Sequence, residues 1–553
     1  MKEWYSDYKC HLQVTACILN KKIQHSQHIC QKLIPALLVL ALIHIVLPHQ
    51  SLAAHTSSSY PEKLHYDKEK VSHELSSFME EKDRGQRIRV LVKFQPSLLE
   101  EQANTHSIKK RSAKKRSRDR AVHYRRVALS NLNHLHSLLG NRQKAEKNNR
   151  YDEKAFWLTN SIAVSLTPEE IAVLSNDSSI DKIVKKRPVT LAIPEINNTS
   201  GENLLSGGLW NFNVIGMQDI LSRGLDGSGI RIGHLDTGVS ISASDIAAKV
   251  LDWAEFNNAG ERIESAPHET NASAHGTYPA SILVGDTTGL APGAQLLSAL
   301  VLPGGSGTEE QVLAGLEWVI DPNGDGNLDD GAQIINMSFG MLDFSEILAV
   351  AVERIVSLGI LPVCATGNAG FLTVYFPANM PEAIGVGATD QFDAVIPQSS
   401  GATLQYGEAT IIKPDITAPG YLVIGMDQNG GYQTLSGTSV ATPHVAGAAA
   451  LLLQQMPELG LDDLKKFLLY SSRKAGSQEK DMRYGMGILN VSAASQFLDR
   501  YASRRNTADL ILKDTSLPRA FGSRLSTYYS NGSDQFLEEE RLDSYPFNGF
   551  RAI

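Results

Sequence analysis

The sequence predicts an α/β fold, a three-layer sandwich around a mainly parallel sheet, preceded by a small α+β unit. Two observations carry this prediction. From about residue 210 onward, short apolar strand-like runs such as AIGVGA (383–388) and LVIGM (422–426) alternate with helix-like runs such as SEILAVAVERIVSLG (345–359) and LDDLKKFLLYSSRK (461–474). Parallel strands buried on both faces read as continuous apolar runs, and the intervening helices cover those faces. A separate block of strand signals lies upstream, between residues 87 and 187, and 553 residues suffice for three or four units and a large core.

The first element is IPALLVLALIHIVL (34–47), too short for a comfortable membrane span, preceded by Lys21, Lys22 and Lys32 and followed by SLAA. A basic stretch, an apolar stretch and small residues in that order make an export signal. Residues 1–54 are assigned to it, with cleavage near Ala53 or Ala54; an uncleaved membrane anchor is the alternative. The expected location is therefore secreted or in the cell envelope. Of the four cysteines, Cys10, Cys17 and Cys30 precede the apolar run, so the exported part keeps Cys364 alone and forms no internal disulfide. Cys364 reads as a small buried strand residue, since no histidine motif accompanies it.

Residues 55–190 form the second block. RIRVLVKF (87–94), NSIAVSLT (160–167) and IDKIVKKR (180–187) read as strands, and EEIAVLSN (169–176) as a helix whose start is marked by Thr167, Pro168 and Glu169. The α+β unit spans about 86–190 and carries a long, basic, partly helical insertion at 102–149. Residues 1–200 hold 32 basic and 20 acidic side chains, against 20 and 40 in the remainder. Such asymmetry raises nucleic-acid binding, but the run from Lys109 to Arg126 has no aromatic residue besides Tyr124 and matches no nucleic-acid motif. A solvated basic helix or loop is expected there, with no nucleic-acid partner. Polar residues and a glycine in TLAIPEINNTSGENLL (190–205) mark an exposed linker, assigned to 191–207.

Residues 208–498 make the main domain, and three of its glycine-bearing turns present reactive groups. GIRIGHLDTGV (229–239) is a strand ending at Asp236; HGT (275–277) opens a helix with His275 at its start; GTSVATPHVAG (437–447) puts Ser439 at the positive end of an alanine-rich helix. Taken singly, a strand-end carboxylate, a helix-start histidine and a serine cap are each ordinary structural residues. Together they supply a nucleophile, a base to take its proton, and a carboxylate to orient that base.

In the order Asp, His, Ser, these motifs resemble the subtilisin-like serine proteases. The resemblance runs from about Trp210 to Leu498 and includes GLAPGAQLLSALVL (289–302), NMSFG (336–340), YFPANM (375–380) and KPDITAPG (413–420). It implies a subtilisin-like domain that hydrolyses peptide bonds through an acyl-enzyme, acts on proteins or peptides and needs no cofactor for its chemistry. CATGNAG (364–370) matches the family's oxyanion-binding motif and puts that role on Asn368. Substrate is implied to lie as an added strand against Ser338, Phe339 and Gly340, facing Leu302 to Gly305. The α+β unit resembles the family's inhibitory propeptide, which makes the chain a self-processing zymogen cut within 190–205. The sequence departs from the pattern at HGTYPAS, where Tyr278, Pro279 and Ser281 replace histidine, valine and glycine, and at Val440, where methionine is usual. These departures and the unexplained insertion motivate the alternative of a catalytically silent relative that binds peptides. Glu309, Glu310, Asp343 and Glu346 suit basic substrates, but broad specificity is the default reading.

Two segments stand apart. DPNGDGNLDDG (321–331) places Asp321, Asn323 and Asp325 at alternate positions before Gly326, a spacing that suits calcium. The twelfth position is Ala332 instead of glutamate, so Asp329 or Asp330 would complete the set; structural calcium and an acidic turn are equally weighted. Beyond Leu498 the chain turns polar, and residues 499–553 read either as a tail or as a strap over the core.

Overall fold

The computed structural model describes residues 64–81, 85–96, 113–139, 152–191, 195–200, 202–242, 244–476 and 479–513. The expected export signal, the two flanks of the basic insertion, the centre of the linker and residues 514–553 lie outside these.

The N-terminal unit is a four-stranded antiparallel sheet of β1 (Ile88–Phe94), β2 (Lys154–Phe156), β3 (Ser161–Leu166) and β4 (Ile180–Lys185) in the order β2-β3-β1-β4. Alternation along β1 decides what each face meets. Val90, Val92 and Phe94 enter the unit's own core with Ile162, Val164, Ile171 and Ile183. Leu91 points the other way and joins the cluster of the main domain. The expected helix runs from Pro168 to Ser175, with Thr167 as its cap: Glu170 N–H donates to Thr167 Oγ1, and Glu170 Oε2 accepts from Thr167 N. Among the described residues the basic insertion forms the helix Ala113–Leu139. Its C-terminal half sends Leu135 and Leu139 into the unit's own core, while Ala121 and Ala128 join the main-domain cluster.

The chain continues through β5 (Pro188–Leu191) and β6 (Glu195–Ser200) into the main domain. Its sheet strands are β7 (Arg231–Asp236), β8 (Val250–Phe256), β9 (Arg262–Ile263) and β10 (Gln295–Leu300). The short β11 (Ser306–Thr308) precedes β12 (Ile334–Met337), β13 (Phe339–Gly340), β14 (Leu361–Ala365) and β15 (Ile384–Thr389). A hairpin of β16 (Ala402–Tyr406) and β17 (Ala409–Lys413) leads to β18 (Ile416–Pro419), and β19 (Val423–Met426) pairs with β20 (Tyr432–Ser436). Eight strands form one sheet, β18-β15-β14-β12-β7-β10-β8-β9, parallel except for β9.

Helices cover both faces, completing the three layers. Thr438–Gln455 packs on one side with Ala446, Ala448, Leu451 and Leu452 buried against Ile334, Val363 and Val386. Glu309–Ile320 and Glu346–Ser357 cover the other, burying Leu313, Leu316, Val352 and Ile355. A helix from Val491 to Lys513 continues through residue 498, so the polar extension begins within a helix; Tyr501 stacks edge-on against Phe467 at 5.3 Å. Among the described residues no helix is long and apolar enough to cross a membrane.

Candidate active site

Neighbouring strands bring distant sequence together at one edge, because parallel strands present their carboxyl ends along the same side. In the order β14-β12-β7, those ends lead to Asn368, Ser338 and Asp236 respectively.

Asp236 Oδ1 accepts from its neighbour Thr237 N at 2.8 Å and from His275 Nδ1 at 2.7 Å. His275 precedes the helix Thr277–Val284. The two turns touch: a Cβ at Gly276 would lie 2.1 Å from Gly238 O, and one at Gly238, where φ is +117°, would lie 2.0 Å from His268 O. Both positions therefore demand glycine. Ser439 is the second residue of its helix, and its carbonyl accepts from Ser338 Oγ at 3.0 Å. Asn368 Oδ1 accepts from Thr438 N at 2.9 Å and Thr438 Oγ1 at 3.0 Å, which fixes the amide with its NH₂ at the opposite end.

Asp236, His275 and Ser439 are essentially inaccessible, at 0%, 1% and 1% exposure. Even so, Asp236 Oδ2, His275 Nε2 and Ser439 Oγ make no hydrogen bond. Burial opposes ionisation of both partners of the Asp236–His275 pair. Their mutual attraction overrides it, depressing the carboxyl and raising the imidazole above its usual 6.5. Cys364 is wholly buried in β14, its thiol pushed up to about 12, so it is inert.

One supporting residue escaped the sequence reading. Glu269 Oε1 accepts from Thr237 Oγ1 at 2.6 Å, and Oε2 accepts from Thr277 N and Oγ1, both at 2.8 Å. It thereby caps the histidine helix and ties it to the turn after Asp236. Its only sequence signal is a carboxylate six residues before His275. The departures at HGTYPAS also find roles. Tyr278 is fully buried, donates to Val423 O and accepts from Leu435 N at 3.1 Å, tying this helix to the β19–β20 hairpin. Ser281 Oγ donates to Tyr278 O at 2.8 Å and accepts from Met426 N at 2.9 Å, away from the reacting groups. Pro279 is the third residue of the helix, and the bonds on either side of it, Tyr278 N to Ala274 O and Ala280 N to Gly276 O, form without its N–H.

Beside the site, β5 is the middle strand of a three-stranded antiparallel sheet between β11 and β13. Thr190 faces Gly340 and Ser306, and Leu191 faces Phe339. The facing edge is thus Ser306–Thr308, just beyond the expected Leu302 to Gly305. Past residues 192–194, β6 pairs with β20, Glu195 opposite Ser436. Glu309 and Glu310 are buried, not surface groups: Glu309 accepts from Arg187 N at 3.1 Å, and Glu310 binds Arg89 at 2.7 Å.

The loop at 321–331 turns its oxygens inward to the protein. Asp321 accepts from Gly324 N at 3.1 Å, from Gly326 N at 2.9 Å and from the Arg125 guanidinium. Asn323 Oδ1 accepts from Asp325 N and Asp325 Oδ1 from Asn327 N, at 2.8 and 2.6 Å. Asp330 Oδ1 is buried without a hydrogen bond, and Asp329 offers its backbone carbonyl to Arg231. Among the described residues, no three His, Cys, Asp or Glu side chains converge as metal ligands. Arg125 thus stands beside Asp321, where the spacing suggested a metal cation.

Residues 227–487 match the profile of the subtilase family. An alkaline protease of Alkalihalobacillus alcalophilus is 31% identical over 341 residues, which cover 61% of this chain and 79% of that protein. Subtilisin Savinase of Lederbergia lenta is 33% identical over 293 residues, 52% of this chain and 98% of the relative. A thermostable alkaline protease of Halalkalibacterium halodurans is 32% identical over 343 residues, 61% and 83% of the two chains. With these likenesses added to a parallel sheet that gathers aspartate, histidine and serine at one edge, the chain belongs to the subtilase family and is a serine-type endopeptidase.

Proposed function

We propose that Asp236, His275 and Ser439 are its catalytic triad, that Asn368 binds the oxyanion, and that the chain is an exported zymogen whose N-terminal unit is its inhibitory propeptide. The observation that supports this most strongly is β5, an extended segment of the chain seated as a strand between β11 and β13, the latter directly following Ser338, whose hydroxyl bonds Ser439 O. Main-chain pairing of this kind accepts almost any sequence, as a protease that cuts many proteins needs.

The chemistry follows from the hydrogen bonds. Asp236 holds the Nδ1–H of His275, so Nε2 is the basic nitrogen. It takes the proton of Ser439 Oγ as that oxygen attacks the peptide carbonyl. The oxyanion is met by the Asn368 amide and by backbone N–H at the helix start, preorganised where charge develops. Asp236 stabilises the imidazolium, which then returns its proton to the leaving amine. Water, deprotonated by the same histidine, releases the acyl group. No cofactor takes part, as in other subtilases, and no step is assigned to calcium.

In the zymogen the bond to be cut then lies within 190–205, the stretch that runs from the end of β5 past β6. Intact mass of residues 55–553, expressed as wild type and as Ser439→Ala, tests the reading. Splitting of wild type alone within 190–205 is expected. Two intact proteins with no labelling by an active-serine probe would overturn it, and equal cleavage of both would overturn self-processing.

A further inference from the structure

The basic helix and the acidic loop, neither explained by proteolysis, meet each other. Arg125 of the helix Ala113–Leu139 donates to Asp321 and, at 3.3 Å, to Gly324 O. Asp321 is the C-terminal cap of the helix Glu309–Ile320. Five residues earlier, Arg120 donates to Ser357 O at the end of the helix Glu346–Ser357, and Tyr124 OH shares a 3.3 Å hydrogen bond with Ser357 Oγ. Two arginines thus sit at the carboxyl ends of two neighbouring main-domain helices, where unpaired carbonyls and the helix dipole favour positive charge.

The surroundings build the contact. Arg354 of the main domain lies 4.3 Å above the Tyr124 ring and donates to Trp157 O at 3.1 Å, while Arg125 lies 4.8 Å from the Trp157 ring. The Asp321 side chain is fully covered, and Arg125 is 29% exposed. The expectation of a purely solvated basic helix is corrected accordingly: Ala121, Tyr124 and Ala128, at helical spacing, face the main domain.

We infer that the 321–331 loop is a guanidinium socket, not a metal site, and that Arg125 seated in it is a release latch holding the propeptide on the enzyme after the linker is cut. This rests on the propeptide reading above. The latch lies on the two helix ends and not in the groove occupied by β5, so it governs how long the severed unit stays bound without altering bond cleavage. Charge complementarity between a basic N-terminal part and an acidic main domain makes that hold sensitive to salt.

The test follows processing of residues 55–553 by intact mass and, in the same sample, turnover of a chromogenic peptide. Wild type splits first and becomes active after a lag set by dissociation. Arg125→Ala is expected to split at the wild-type rate and shorten the lag about 10-fold or more, as truncation of one partner of a covered charge pair speeds dissociation. Asp321→Asn acts alike, and the double variant adds little to either, the mark of one shared interaction. Added salt shortens the wild-type lag far more than that of Arg125→Ala. A lag insensitive to Arg125 and to salt would overturn the latch, even in a chain that processes normally. A wild type that neither splits nor labels would instead overturn the propeptide reading. Calcium and chelator should leave thermal unfolding of Ser439→Ala unchanged; a calcium-induced rise lost in Asp321→Asn would overturn the socket.

Discussion

The Asp236–His275 pair and the Lys413–Asp415 pair, which the half-buried Lys480 joins, are two sets of charge in the same domain. Asp415 has both oxygens filled: Oδ2 by Lys413 Nζ at 2.5 Å and Gly385 N at 2.8 Å, Oδ1 by Lys480 Nζ at 2.7 Å. Lys413 also reaches Ala383 O at 2.9 Å. At the other set, Asp236 Oδ2, His275 Nε2 and Ser439 Oγ are buried without a hydrogen-bond partner in the protein. Leaving a buried polar atom unpaired costs about 1–3 kcal/mol. The saturated cluster is thus suited to holding strands together. The unsaturated set retains donors and acceptors for a reacting molecule.

Substitutions separate the two. Ser439→Ala should slow first-order self-processing about 10⁶-fold and Asp236→Asn about 10⁴-fold, the scale known for the corresponding serine and aspartate in subtilisin and related triads. Ser439→Ala should stay folded with little loss of stability, since Ser439 Oγ makes no hydrogen bond within the protein. Asp415→Asn should do the reverse, costing about 3–5 kcal/mol of stability by leaving Lys413 uncompensated, with turnover per labelled active site unchanged. A slowed Asp415→Asn enzyme of normal stability would break the comparison.

Asn368→Ala should reduce turnover about 100- to 1,000-fold with little change in KM, the subtilisin value for one lost oxyanion donor. Tyr278→Phe removes a buried hydroxyl from Val423 O and Leu435 N, and should cost about 1–3 kcal/mol in a denaturant titration. Acid should act on the two sets at different pH. His275, raised above 6.5, must be neutral to accept a proton, so kcat/KM should fall about tenfold per pH unit below that raised pKa. Although burial opposes it, the two lysines depress the Asp415 carboxyl below 3.8. Its stabilisation is therefore complete above 3.8 and lost as pH falls through the lower folded value. Activity loss and unfolding at one common pH would contradict the distinction.

Legibility followed how local each constraint was. Asp236, His275, Asn368 and Ser439 were readable because each stands in a turn whose glycines are demanded by close approach, as at Gly238 and Gly276. Glu269 was not, since the donors that give it its role, Thr237 Oγ1 and Thr277 N and Oγ1, reach it only when the histidine helix folds back on the turn after Asp236. Glu309 and Glu310 read as groups suited to basic substrates because the arginines and backbone that cover them lie more than a hundred residues upstream.

Alternating apolar runs, helix starts and glycine turns are properties of neighbouring residues, so the sequence by itself determined the three-layer fold, the capped Pro168–Ser175 helix and the glycine turns that carry the proposed triad. Tertiary structure alone decided that β5 fills the groove between β11 and β13, that Tyr278 braces the histidine helix, and that Arg125 occupies a loop whose spacing suggested calcium. In each case the deciding partner is distant in sequence, and which oxygen a cation meets depends on which segment the fold lays against it.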